Sequence, residues 1–525
     1  MGIADGAADE RVGIILVHGI GEQRRFEHLD GQLRELLETL QVMNGVVEVS
    51  VDIANPGATS FHAQKDGWLA GPDPSVTVVV HHRIGGTDRI VHLCVHEVWW
   101  ADINEDYSLA KQFRFWAWGL AIWLHPGKPG SNRPTAHLVT PPRAPRRLTL
   151  WSRIRLFLTG VFFVLIGFSV GSLIFLANRL FNWQSPDLLK VVTNYVSGVK
   201  LYTQRHRYSG GLLWEDEAFL DNLDLPPRVS IRRRMIRAIA DATCQDYDRW
   251  YVLAHSLGSV LAFNGLMETA YVWPGYLDRD RWNHLTGRRD AGPPRDANDM
   301  LEFPRSQTEP VMPPRPAWVP GHHIVYRDQI FARCRGLLTY GSPLEKFAHI
   351  WPAIVPIATR PAFSADMRWI NLCDPLDPVS GVLRSFTDPT RTSNVCPQPD
   401  EHGYGAAWWL LLAHLCYFRP RGGQGSSAAA ATLEWLLTDV STGFRNKQGG
   451  LGNGSWYQPN SPVFWLRQAI ATLSWLIAAA ILAALGAYIL PALVHAIHDI
   501  AVAVWAQVCA SAPTGTCAPV QGGGI

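Results

Sequence analysis

The chain has 525 residues, a formal net charge of +2 and 18% charged side chains. So balanced a charge gives no global argument for a nucleic-acid partner, and the length allows two or three ordinary domains or one domain with large insertions. Tryptophan occurs 22 times, and a ring that is buried while its N–H stays wet suits a membrane–water interface, so composition predicts membrane association.

Residues 1–12 are polar and lack the apolar stretch of a signal peptide. Gly13-Ile14-Ile15-Leu16-Val17 is short and continuously apolar, the pattern of a strand buried on both faces. It runs into His18-Gly19-Ile20-Gly21. A strand ending in His-Gly-x-Gly leaves backbone N–H groups free to point into a site. That of Ile20 or Gly19, paired with the N–H of Leu257 far downstream, would form an oxyanion hole. Leu29, Leu33, Leu36, Leu37 and Leu40 recur at helical spacing and predict a helix after this strand. His92, Cys94 and His96 alternate on one face of another strand. Neither they nor His81-His82 nor His322-His323 have the spacing of a zinc site, so no metal is expected. Phosphate-cradling and dinucleotide-binding glycine patterns are missing from the sequence, and no cofactor is expected.

The segment Phe113 to Leu124 reads as an aromatic helix lying at an interface. Residues 126–155 carry Lys128, Arg133, Arg143, Arg146, Arg147, Arg153 and Arg155 with no acidic residue, a charge run suited to anionic lipid headgroups. Leu156 to Ala177 is 22 residues without a charge, long enough at about 1.5 Å per residue to enter or cross a ~30 Å hydrocarbon core. The strands on either side of this insertion must share one sheet, which requires an even number of crossings or an insertion that penetrates and returns. The second arrangement, with the main domain in the cytoplasm, is the expectation.

The most informative stretch is Trp250-Tyr251-Val252-Leu253-Ala254-His255-Ser256-Leu257-Gly258-Ser259-Val260-Leu261-Ala262. A strand-like run meets a helix-like run at Ser256, with Ala254 two before it and Gly258 two after. In a nucleophile elbow the serine sits on a turn so tight that larger side chains at those two positions would meet neighbouring backbone. Residues 274–320 carry eight prolines between 293 and 320 and read as a lid or a linker. Gly336-Leu337-Leu338-Thr339-Tyr340 and Arg368-Trp369-Ile370-Asn371-Leu372-Cys373 are the next strands. The second ends in Asp374-Pro375-Leu376-Asp377-Pro378-Val379, where Asp374 suits a hydrogen bond to the turn's own backbone.

Residues 420–460 are rich in Gly, Ser and Ala around a short helix. Ala469 to Leu490 is again 22 residues without a charge and reads as a transmembrane anchor. Cys94, Cys244, Cys334, Cys373, Cys396 and Cys416 have no disulfide-type spacing, whereas Cys509 and Cys517 would pair only in an oxidising compartment.

His18-Gly19-Ile20-Gly21, Ala254 to Gly258 and the two later strand ends together resemble the α/β-hydrolase superfamily, in particular its lipase-like serine esterases. The resemblance covers roughly residues 11–55, 88–105, 230–272 and 330–418. It implies a mostly parallel sheet flanked by helices and a triad in the order Ser, Asp, His. Ser256 is then the nucleophile. Asp377, followed by Pro378-Val379-Ser380, fits the family's acid better than Asp374. For the base the resemblance favours His402, in the polar Asp400-Glu401-His402-Gly403-Tyr404-Gly405 loop. The competitor, His414, follows the apolar run Ala406 to Ala413 and reads as a helix-face histidine. His18 and His255 belong to the motifs themselves.

The expected organisation is an N-terminal part of the hydrolase domain (1–105), a membrane-associated insertion (106–205) and the rest of that domain (206–418). A linker (419–464) and a C-terminal membrane anchor (465–525) follow. The expected activity is hydrolysis of lipid-like carboxylic esters through an acyl-enzyme. An acyltransferase or thioesterase would use the same residues, and an inactive scaffold is the alternative outside catalysis.

Overall fold

The computed structural model describes residues 8–19, 27–54, 75–84, 87–100, 198–199, 201–203, 227–295, 313, 315–351, 354–355, 367–386, 399–405, 410–419, 425–444 and 455–511. The expectations for 113–124, 126–155 and 156–177, and for Ile20, Cys396 and Cys517, lie outside these residues.

Strand β1 (Ala8–Val17) leads into helix α1 (Glu27–Leu40), then β2 (Val46–Ala54), β3 (Ser75–Ile84) and β4 (Thr87–Val98). After α2 (Pro227–Cys244) come β5 (Arg249–His255), α3 (Leu257–Leu266) and α4 (Arg279–Arg288). Two short strands, β6 (Ala291–Gly292) and β7 (Ile324–Val325), pair with each other apart from the main sheet. Then follow β8 (Cys334–Tyr340), α5 (Leu344–Ile350), β9 (Arg368–Cys373), β10 (Pro399–Gly405), α6 (Leu410–Leu415), α7 (Ser427–Thr438), β11 (Ser455–Tyr457) and α8 (Pro462–Ser511).

Nine strands form one sheet in the order β11-β10-β9-β8-β5-β1-β4-β3-β2. The run from β10 through β4 is parallel throughout, and β11, β3 and β2 extend it with antiparallel pairings. The fold is α/β, with a mostly parallel central sheet between helices. Side chains alternate across each strand, so Ile15 and Val17 join one core with Val252, Val260 and Met235. Ile14 and Leu16 join the other with Leu29, Leu33, Leu36, Leu40 and Trp435. That is why β1 and β5 read as unbroken apolar runs: both faces are covered.

The chain leaves β1 for β4 on one side and returns to β5 on the other. Such a reversal opens a crevice at the carboxyl ends of the strands, the usual place for a ligand in an open α/β sheet.

Two segments are more firmly built into the fold than the sequence suggests. In the expected lid or linker at 274–320, α4 is capped by Asp278, and Trp282 and Leu285 are buried in the core. In the expected linker at 419–464, α7 buries Leu433, Trp435 and Leu436 against the sheet, and β11 pairs with β10.

The segment Ala469 to Leu490 lies inside α8. Its transmembrane reading is not supported: among the described residues, no helix is long and apolar enough to cross a membrane. The helix is rooted in the fold through Phe464, Arg467, Gln468, Ala471 and Thr472, all buried, while Leu473, Leu476, Ile477, Val502, Val504 and Trp505 are exposed. Cys94, Cys244, Cys334, Cys373 and Cys416 are buried.

Candidate active site

Ser256 stands between β5 and α3 with φ 53° and ψ −130°. A left-handed φ at a serine stores strain that the surroundings must hold, and here they do. The Ser256 N–H donates to the Tyr340 carbonyl at 3.0 Å. The Ser259 hydroxyl donates to the Ser256 carbonyl at 2.6 Å and is 2.7 Å from the Ser342 hydroxyl. The small neighbours are required, as the pentapeptide predicts. A Cβ on Gly258 would lie 2.3 Å from the His18 carbonyl oxygen, and one on Gly19 would lie 2.6 Å from the Ser256 Cβ. Ala254 is fully buried.

Beside the serine, His414 Nε2 is 3.0 Å from Ser256 Oγ and His414 Nδ1 is 2.9 Å from Asp377 Oδ2. All three side chains are buried, Ser256 at 1% exposure, Asp377 at 0% and His414 at 9%. The sequence places this partner at His402, and the structure places it at His414. His402 is inside β10, not in a loop, and strand alternation turns its ring onto Phe444 and Trp456. Its Nε2 is 3.3 Å from Asp400 Oδ2. His414 lies in the last turn of the short helix α6, with its ring towards the serine.

Asp377 is fully engaged. Its Oδ1 accepts from the N–H groups of Val379 at 2.7 Å and Ser380 at 3.1 Å, and its Oδ2 accepts from the Tyr417 hydroxyl at 2.9 Å as well as from His414. Burial pushes this carboxyl up, but His414, the Val379 N–H and nearby Lys346 outweigh it and hold it down at about 2. It is therefore an anion at neutral pH, suited to keeping the Nδ1 proton on His414. Tyr417 is a residue the sequence did not single out. Its three-residue offset from His414 is the signal that could have found it. Asp374, the rejected acid, does accept from a turn N–H, that of Leu376, at 3.0 Å. Its main partner is Arg467 of α8.

The two motif histidines are neutral supports. His18 Nδ1–H donates to the Gly19 carbonyl at 2.7 Å, while Nε2 accepts from the Trp100 N–H at 3.1 Å. Burial lowers its pKa to about 4, against the pull of the Gly19 carbonyl. His255 Nε2–H donates to the His414 carbonyl at 3.0 Å. Burial, then the adjacent His414, lowers its pKa to about 3. Gly341, with φ +62°, passes behind the pair: a Cβ there would lie 3.0 Å from the His414 ring and 3.3 Å from Asp377 Oδ2.

Of the expected oxyanion donors, Leu257 opens α3, so its N–H has no acceptor within the helix. Gly19 closes against the serine, and Ile20 is outside the described residues. Among the described residues there is no group of three or more His, Cys, Asp or Glu side chains that could hold a metal ion. His92 pairs with Asp9 and His96 with the Tyr247 hydroxyl.

No protein-family model matches the chain, and neither do any curated protein or solved structure. The functional reading therefore rests on the geometry itself.

Proposed function

We propose that this protein is a serine hydrolase of the α/β-hydrolase type, acting on carboxylic esters through an acyl-enzyme. The observation that carries this reading is the unbroken line Ser256 Oγ, His414 Nε2, His414 Nδ1, Asp377 Oδ2, set on a strained serine turn. Ser256 Oγ attacks the acyl carbonyl while His414 Nε2 takes its proton. Asp377 holds the imidazole in the tautomer that leaves Nε2 free to accept, and stabilises the imidazolium that forms. The N–H of Leu257, which has no acceptor within α3, donates to the developing oxyanion. His414 then delivers the proton to the leaving alcohol. A water, deprotonated by the same nitrogen, releases the acid and restores Ser256.

The substrate class we propose is lipid-like esters met at a membrane surface. Support comes from the apolar side chains that α8 exposes beyond its root, Trp505 among them, which suit a surface contact without a crossing. The basic run at 126–155 suits anionic headgroups.

The test is hydrolysis of nitrophenyl esters of graded chain length by the whole chain and by Ser256→Ala. The reading predicts turnover that rises with acyl length and falls on the order of 10⁴-fold or more in the variant. Equal turnover by both proteins would refute it.

A further inference from the structure

Asp374 lies three residues before the proposed acid on the same turn, and its carboxylate is gripped from outside the sheet domain's core. Arg467, in the second turn of α8, reaches it with both arms of its guanidinium. Nε donates to Oδ1 at 3.0 Å and Nη2 to Oδ2 at 2.6 Å. The two side chains are each 1% exposed. The Tyr457 hydroxyl donates to the same Oδ1 at 3.1 Å, and its ring lies under the guanidinium. Gly405 makes room for this crossing, since a Cβ there would lie 2.4 Å from the Arg467 guanidinium carbon.

From Asp374 the hold passes directly to the site. The Asp374 carbonyl accepts from the N–H of Asp377 at 3.0 Å, and its side chain accepts from Leu376. One turn along α8, Ala471 packs with Leu376 and Ala413, the residues just before Asp377 and His414. The root of α8 therefore touches both the turn that carries the acid and the helix that carries the base.

We propose that Arg467 is a positioning residue of the hydrolase, and that the root of α8 is a working part of the active site rather than the start of an appendage. The claim rests on the proposed hydrolase reading. A planar fork bound on two edges fixes the orientation of a carboxylate as well as its charge. Asp374 so fixed sets the backbone from which Asp377 meets His414. Burial pushes the Asp374 carboxyl up against the pull of Arg467, so loss of the guanidinium favours a neutral acid with its orientation released.

The test uses the full chain with Arg467→Lys, which keeps the charge and loses the fork, and Arg467→Met, which loses both. Three readouts are taken: the rate of fluorophosphonate labelling at Ser256, kcat and KM on a short ester, and the low-field proton resonance of His414 Nδ1–H. Small displacements of a catalytic group cost up to about 100-fold. Labelling and kcat are therefore expected to fall roughly 3- to 10-fold in Arg467→Lys and on the order of 30-fold or more in Arg467→Met. KM should stay within about twofold. The low-field resonance should broaden in the same order, with the thermal melt of Arg467→Lys close to that of the parent. A folded Arg467→Lys with parent rates and an unchanged resonance would overturn the proposal, whether or not Arg467→Met folds. Should the parent neither label nor turn over ester, the hydrolase reading falls, and the resonance in parent and variants still decides the positioning claim.

Discussion

Gly341 shows how closely the proposed site is built. It follows β8 directly with φ +62°, and the space its missing side chain leaves is taken by the His414 ring. Gly341→Ala meets two costs at once: about 1–2 kcal/mol for a left-handed conformation at a non-glycine residue, and a methyl pressed against the imidazole. The expected outcome is a folded protein with kcat lowered on the order of tenfold and KM nearly unchanged, measured on a short soluble ester. At this scale the sequence was legible where sterics dictate composition. Ala254, Ser256 and Gly258 could be read because only small residues fit the elbow, whereas Asp377 was separated from Asp374, on the same turn, only by the family resemblance of Pro378-Val379-Ser380 after it. His414 was hidden by its own neighbours, since Leu410 to Ala413 read as ordinary helix core. An apolar run buries the polar residue that ends it, and a buried imidazole needs partners. That argument, applied to His414, would have favoured it over a histidine in a polar loop.

The elements positioning the site are the carboxyl ends of β1, β5, β8 and β9 with α6 packed across them. Strand types were legible from their apolar runs, which are continuous because helices cover both sheet faces. β10 was not: Pro399 to Gly405 contains two glycines and four titratable side chains, and reads as a loop. It is a strand because β9 and β11 pair with its two edges, a long-range condition no local pattern reveals. One price of that burial falls on Glu401, whose carboxyl accepts from Asn371 Nδ2 and the Leu383 N–H, both at 2.8 Å. Burial pushes it up to about 8 despite these bonds, with Glu345 and Asp400 adding to the rise. The folded protein therefore binds a proton that the unfolded chain, near its ordinary 4.5, releases. Stability from this group is full below about 4.5 and is lost as pH rises through about 8. Thermal melts between pH 5 and 8 should fall with rising pH, and Glu401→Gln should flatten that slope. An unchanged slope in Glu401→Gln would show that other groups set it.

Across the whole molecule, the sheet binds segments that the sequence separates. The organisation expected from composition put a linker at 419–464 and an anchor from 465 onward. In the structure α7, β11 and the root of α8 pack with the sheet domain, and a boundary at 465 would cut α8 within its root. Two truncations separate these views. A chain ending at residue 461 loses Arg467 and Ala471, and with them the two-armed hold on Asp374 and the packing on Leu376 and Ala413. It should melt well below the parent and label poorly. A chain ending at residue 474 keeps the root and should retain labelling while losing retention on lipid vesicles. Equal labelling by both truncated chains would mean that α8 contributes nothing to the site.

The most direct test of the central claim is fluorophosphonate labelling of the full chain beside Ser256→Ala, His414→Ala and His402→Ala. The account predicts rapid labelling of the parent and of His402→Ala, none of Ser256→Ala, and a rate in His414→Ala lower by about 10³-fold or more. Labelling that survives in His414→Ala but is lost in His402→Ala would contradict it, and with it the line from Ser256 through His414 to Asp377.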